Sequence, residues 1–211
     1  MTQPMRRSAP GFTLLETMIA LTILGIVLAV GIPSMSKMVF ANKAVAAGQF
    51  YSEGFALARN QALSQNGVSR LVLSRNAGNG QFDWQIDVCF PRSDDPCNAG
   101  TTNWSSTAAP ASGDPKGAAN GFKSLLRSAD ALPKSAQLTL ATTPAEARAV
   151  YFTPLGWVDP AFAPRLERID LTPAGAQAGT APATAVVLTM AGNGIRCKPQ
   201  VAANDPQRCP P

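Results

Sequence analysis

Hydrophobic positions along the chain fall into three successive patterns. Residues 12–32 are a predominantly apolar run in which Glu16 is the only formal charge. At a rise of about 1.5 Å per residue the run makes roughly 30 Å of helix, the thickness of a bilayer's hydrocarbon core, so it predicts a membrane-spanning helix. Residues 34–65 contain no proline and many alanines. Tyr51, Phe55, Ala58 and Ala62 recur at helical spacing, with Gln49, Glu53, Asn60 and Ser64 on the opposite side. That spacing predicts an amphipathic continuation of the helix with one packed face. Gly25, Gly31 and Pro33 are expected to bend or weaken its first half, and Asn66-Gly67 to end it with Gly67 as the left-handed cap.

Beyond residue 67 the period falls to two. Segments 68–73 and 82–90, rich in branched and aromatic residues, flank Arg75-Asn76-Ala77-Gly78-Asn79-Gly80 and predict a hairpin. Further strands are expected at 137–141, 149–152, 168–171 and 185–190. Breakers lie at 159–164 and 173–182, and a long surface loop at 91–120. The expected class is α+β, a long N-terminal helix whose C-terminal half packs on an antiparallel β-sheet domain.

Composition adds a compartment. The first eleven residues carry Arg6 and Arg7 and no acid, so the positive-inside rule keeps this end in the cytoplasm and sends the remainder across the membrane. The 17 glycines and 18 prolines of the 211-residue chain lie mostly beyond residue 66, favouring strands and loops over a second helical domain. Its formal charge is +5, two units of which belong to Arg6 and Arg7, a balance that does not by itself indicate nucleic acid.

The four cysteines form two sequence-local pairs, Cys89 with Cys97 and Cys197 with Cys209. Four cysteines admit three connectivities; in an exported chain short spacing favours local disulfides, each worth about 3 kcal/mol by the chain-entropy model. With no histidine in the chain, a metal site would need thiolates or carboxylates alone, so neither metal nor cofactor is expected. An enzyme is not expected either: no histidine base is available and no phosphate loop follows a strand. Ser34-Met35-Ser36-Lys37 matches Ser-x-x-Lys in form only, without companion motifs. Arg6-Arg7 is accounted for as the flank of a spanning helix, and Asn103-Trp104-Ser105, a glycosylation sequon in form, as loop sequence.

No small-residue cleavage site follows the apolar run; the small residue, Gly11, precedes it, with Phe12 next and Glu16 fifth in the chain that would remain. Basic leader, glycine, phenylalanine, acid and apolar run together closely resemble the class III signal of type IV prepilins. The resemblance implies cleavage by prepilin peptidase between Gly11 and Phe12, N-methylation of Phe12, and an assembly role in which Glu16 meets the N-terminus of a neighbouring subunit. The implied organisation is a leader at 1–11, a transmembrane half-helix at 12–32, an amphipathic half at 33–66 and a globular β-rich pilin domain at 67–211. The implied location is the inner membrane with a periplasmic domain, then the pilus, where the partners are other major and minor pilins.

A second resemblance covers the later chain. Tyr151-Phe152-Thr153-Pro154-Leu155-Gly156-Trp157, the segment from Ala185-Val186-Val187 to Gly192-Asn193-Gly194-Ile195-Arg196-Cys197, and the helix segment Ala56-Leu57-Ala58-Arg59-Asn60-Gln61-Ala62 are similar to the GspH/FimT family of minor pilins and pseudopilins. It implies a minor pilin at or near the pilus tip that promotes assembly, with a type II secretion pseudopilin as the alternative of the same fold. Some FimT-type members are implicated in binding incoming DNA through a C-terminal Gly-Arg-x-Arg. The matching tetrapeptide here is Asn193-Gly194-Ile195-Arg196, with Gly194 in place of the first arginine. A DNA-binding minor pilin for natural transformation is therefore a further alternative, with Arg196, Lys198 and Arg208 as the candidate contacts.

Overall fold

The computed structural model describes residues 11–93 and 96–210; Arg6, Arg7 and the rest of the leader before Gly11 lie outside them. Helix α1 runs from Leu14 to Gln65. It is continuous through Gly25, Gly31 and Pro33, so the expected weak points do not interrupt it. A proline removes one backbone donor, and the hydrogen bonds of the turns on either side keep the helix in register.

From residue 40 onward one stripe of α1 is buried: Phe40, Ala44, Ala47, Tyr51, Phe55, Ala58 and Ala62. The steps alternate between three and four, the spacing of a single helical face. Four of the seven are alanines, which let strands approach the helix backbone closely. Gly54 does the same beside them: a Cβ there would stand 2.9 Å from Leu71 Cδ1 and 3.3 Å from Trp84 Cδ1. Gly54→Val is therefore expected to lower stability by about 1–3 kcal/mol through overpacking. A reduced urea midpoint of the folded domain, at unchanged slope, would be the measurement.

The helix ends differently from the sequence expectation. Asn66, not Gly67, adopts the left-handed conformation, with φ of 49°. Gly67 N–H donates to Ala62 C=O at 3.2 Å and Asn66 N–H to Leu63 C=O at 3.3 Å, the paired bonds of a Schellman cap. Asparagine tolerates that conformation, and Gly67 is needed for another reason: its Cβ would lie 3.0 Å from the Cys89 carbonyl oxygen.

The strands are β1 (Val68–Arg75), β2 (Phe82–Cys89), β3 (Leu125–Arg127), β4 (Leu138–Thr143), β5 (Ala149–Phe152), β6 (Arg168–Pro173), β7 (Thr184–Leu188) and β8 (Gly194–Cys197). They form two antiparallel four-stranded sheets, ordered β3-β2-β1-β5 and β4-β6-β7-β8. Two sheets rather than one flank the helical stripe, and β3 and β8 extend the expected strand set. On the first sheet Ser69, Leu71 and Leu73 alternate inward with Val88, Ile86 and Trp84 opposite them. On the second, Ile169, Leu171 and Val186 join the same core.

Polar bonds fix the register of helix on sheet. Tyr51 Oη donates to Phe82 C=O at 2.9 Å, Ser69 Oγ to Ala58 C=O at 2.6 Å, and Trp84 Nε1 to Phe50 C=O at 3.1 Å. Burial pushes the Tyr51 phenol well above its usual range, so it stays a neutral donor.

The stretch expected as a surface loop at 91–120 carries core of its own. It folds over the outer face of the first sheet, burying Cys97 and Trp104 against Val68, Cys89 and Tyr151. Ser105 N–H donates to Val88 C=O and its Oγ accepts from Val88 N–H, each at 2.9 Å, extending the pairing of β2. Arg70 stacks over Trp104 at 4.3 Å and pairs with Asp87 at 2.8 Å. A four-residue helix, α2 (Gly117–Asn120), completes the loop.

Candidate functional site

The N-terminal segment positions its chemistry through the start of α1. Thr13 immediately precedes Leu14, the first helical residue, and Glu16 is the third. Glu16 N–H donates to Thr13 Oγ1 at 3.3 Å, and Thr13 N–H to Glu16 Oε2 at 3.5 Å. This reciprocal pair is a capping box, satisfying two of the backbone donors that a helix start leaves open. A carboxylate in the first turn also complements the positive end of the helix dipole. Thr13-Leu14-Leu15-Glu16 carries that signature in the sequence.

Gly11 and Phe12 lie before the helix, and Phe12 is 84% exposed. A Cβ at Gly11 would meet no atom within 4 Å. Nothing in the packing of the described residues requires glycine there, which leaves a second molecule as the source of any such requirement. Downstream, Leu14, Leu15, Met18, Ile19, Leu21, Ile23 and further apolar residues are exposed along a helix long and apolar enough to cross a membrane.

The three patches of the second resemblance meet in space. Thr153-Pro154-Leu155-Gly156-Trp157 and Thr189-Met190-Ala191-Gly192-Asn193 form the same turn twice. In each, the glycine has positive φ, 76° and 81°, and its N–H donates to the threonine carbonyl, at 2.8 and 2.9 Å. The threonine Oγ1 accepts from the residue after the glycine, at 3.3 and 3.2 Å. The turns are joined by Val158 N–H to Met190 C=O at 2.9 Å, and Arg59 Nε from α1 donates to Gly156 C=O at 3.0 Å. A Cβ on Gly192 would collide with the Gly156 carbonyl oxygen and stand 2.9 Å from Arg59 Cδ. Packing therefore accounts for both glycines and Arg59. The repeated Thr-x-x-Gly, at Thr153 to Gly156 and Thr189 to Gly192, is a sequence signal that could have pointed to this junction, though not to the contact between its two copies.

Of the candidate DNA contacts, Arg196 lies within β8, while Lys198 and Arg208 lie beyond it as partners in an isolated parallel bridge. Arg196 pairs in register with Val186, on the helix-facing side, and a Cβ at Gly48 of α1 would lie 3.8 Å from Arg196 Cδ. Gly194 shares that face, where a Cβ would stand 3.1 Å from Phe55 Cδ2, and Ser52 Oγ donates to its carbonyl at 3.2 Å. A long side chain at 194 would be driven into the helix. Cys197 points the other way, and its disulfide to Cys209 closes the C-terminal segment over the outer face. Arg208 lines a cleft there with Arg168 and Asp205, while Lys198 N–H donates to Gln207 C=O at 2.7 Å. The other disulfide joins Cys89 to Cys97.

With three candidate cations and Asp205 lining the same cleft as Arg208, few phosphates can be neutralised together. Gel-shift titration of the full chain in detergent is expected to show weak duplex binding that falls steeply with salt and is unchanged by Arg196→Gln. Tight binding lost with that substitution would reverse the expectation.

Residues 6–32 match the family model of the prokaryotic N-terminal methylation motif. The motif marks the chain as a type IV pilin-like or pseudopilin-type protein, a class of structural subunits rather than enzymes. It implies processing by prepilin peptidase and assembly with other pilins, and with the apolar helix it is consistent with membrane anchoring and incorporation into a pilus. No curated protein and no solved structure matches the chain.

Proposed function

We infer that the chain is a minor type IV pilin of the GspH/FimT kind, incorporated at or near the pilus tip and promoting assembly. Gly11 is the cleavage position, Phe12 the methylated N-terminus, and Glu16 the acid that engages the neighbouring subunit. Residues 1–11 leave with the leader, 12–32 anchor the protein in the inner membrane, and 33–66 carry the periplasmic domain at 67–211. The observation supporting this most strongly is the sterically open Gly11 before a capped, exposed apolar helix. Such a segment is built for contacts outside its own chain. The meeting of Arg59, Gly156 and Gly192 favours the GspH/FimT assignment, because it gives all three similar patches one packing role.

The test is quantitative mass spectrometry of sheared filaments, alongside a strain lacking the protein. The chain is expected as a small fraction of filament subunits, with piliation reduced in its absence. Normal piliation together with lost protein secretion would instead favour the pseudopilin alternative.

A further inference from the structure

The strongest unassigned site lies where the turn between β1 and β2 meets β4, a cavity of about 410 Å³. That volume falls within the roughly 300–1,000 Å³ of small-ligand clefts. Its polar lining consists of Arg75, Arg148, Ser135, Thr139 and Thr142, with the Phe82 ring as an apolar wall. No carboxylate of the described residues lines it. Of the acids nearest in sequence, Asp83 is engaged elsewhere: its Oδ1 accepts from Asn76 Nδ2 at 2.8 Å and Ala129 N–H at 2.7 Å. Glu146 is exposed and lines a neighbouring cleft that Arg148 also borders. Asp130 is held below the usual carboxylate range by hydrogen bonds from Ser128 and Asn76.

Of the two arginines, Arg148 is held in place by the protein. Arg148 Nη1 donates to Thr142 Oγ1 at 2.6 Å, Ala145 C=O at 2.7 Å and Ala147 C=O at 3.0 Å, with the guanidinium 5.0 Å above the Phe82 ring centre. Its Nε and Nη2 have no hydrogen-bond acceptor among the described residues. Neither does any nitrogen of the exposed Arg75 side chain. The wall carrying Ser135 and Thr139 is fixed by buried Gln81, whose Nε2 donates to Pro133 C=O at 2.8 Å and Leu138 C=O at 2.7 Å. Gly80, with φ of 74°, lets that wall close in: a Cβ there would stand 2.5 Å from Ser135 Oγ.

We propose that this cavity binds a phosphomonoester of about sugar size. Two unpaired guanidinium edges and several hydroxyls exceed what the two oxygens of a carboxylate can use. A phosphomonoester offers three terminal oxygens and about −1.5 to −2 charge. The volume left around the phosphate, bounded by Phe82, accommodates the attached body. The site is independent of the pilin reading, since it involves no residue of the N-terminal segment.

Calorimetric titration of the full chain in nonionic detergent at low salt tests it, with glucose 6-phosphate, inorganic phosphate and glucose as probes. Glucose 6-phosphate is expected to bind saturably and more tightly than inorganic phosphate, and glucose not at all. Arg75→Gln removes no bond among the described residues, so it should leave the unfolding midpoint unchanged while weakening binding about tenfold or more, as loss of a charge-assisted hydrogen bond does. Arg148→Lys should weaken binding similarly, because an ammonium cannot reproduce the fork. The proposal is overturned by absence of saturable binding, by equal binding of glucose, or by unaltered affinity in Arg75→Gln. Binding of duplex DNA that glucose 6-phosphate fails to displace, with no binding of the sugar phosphate itself, overturns it as well.

Discussion

Gly11→Val is expected to leave the protein folded and uncut. A side chain at this position meets open space among the described residues, so the domain should show the wild-type unfolding midpoint. A branched residue before the helix obstructs close approach of a protease backbone, for which glycine is suited. Intact-mass measurement should therefore find the variant with its leader retained, and wild-type protein beginning at N-methyl-Phe12. The expected effect is all-or-none processing. Efficient cleavage of the valine variant would remove the basis for reading Gly11 as a recognition residue.

Glu16→Val is expected to abolish or strongly impair incorporation into filaments while membrane insertion persists. A carboxylate at the centre of a spanning helix costs about 2.5–3.5 kcal/mol on insertion scales; Glu16 lies in the first turn, where the cost is smaller but of the same sign, so its removal favours the membrane-inserted monomer. The same change removes one half of the capping box, the bond from Thr13 N–H to the Glu16 carboxylate, and leaves the bond from the backbone N–H of residue 16 to Thr13 Oγ1. Glu16→Gln separates these effects, because glutamine keeps the reciprocal bond to Thr13 without the charge. If charge attracts the neighbouring N-terminus, both variants should be depleted from sheared filaments. If capping alone matters, the glutamine variant should assemble normally. Unchanged incorporation of the valine variant would count against either role.

Long-period signals were legible in the sequence, and those that depend on a distant partner were not. The apolar run and the stripe at Tyr51, Phe55, Ala58 and Ala62 repeat over many turns, so a single strand of information fixes helix and face. The hairpin of β1 and β2 was legible because both flanks alternate around a glycine-rich turn. Strand β3 was missed because Leu125, Leu126 and Arg127 are all exposed and show no alternation. Strand β8 was missed because Gly194 reads as a turn residue, whereas its missing side chain makes room for Phe55. Composition marked the stretch at 91–120 as polar loop, and its few apolar residues are too widely spaced to announce that Trp104 and Cys97 pack together. At the candidate sites, the prepilin signal is a contiguous motif and could be read directly. The junction of Arg59 with two glycines and the cavity between Arg75 and Arg148 arise from segments far apart in the chain.

The side-chain hydrogen bonds between α1 and the strands and turns packed on it also bear on how the domain responds to traction. They are spread from Phe50 to Arg59: Trp84 on the Phe50 carbonyl, Tyr51 on Phe82, Ser52 on Gly194, Ser69 on Ala58 and Arg59 on Gly156. All five attach to one continuous helical rod. A pull applied through that rod loads them together, because none can open until the rod slides past the rest. Detachment would then be a shear event sharing the force among five points in parallel, rather than a peel that breaks them in turn. A subunit held at its helix and tugged at its far end would in this way keep its sheets folded under load.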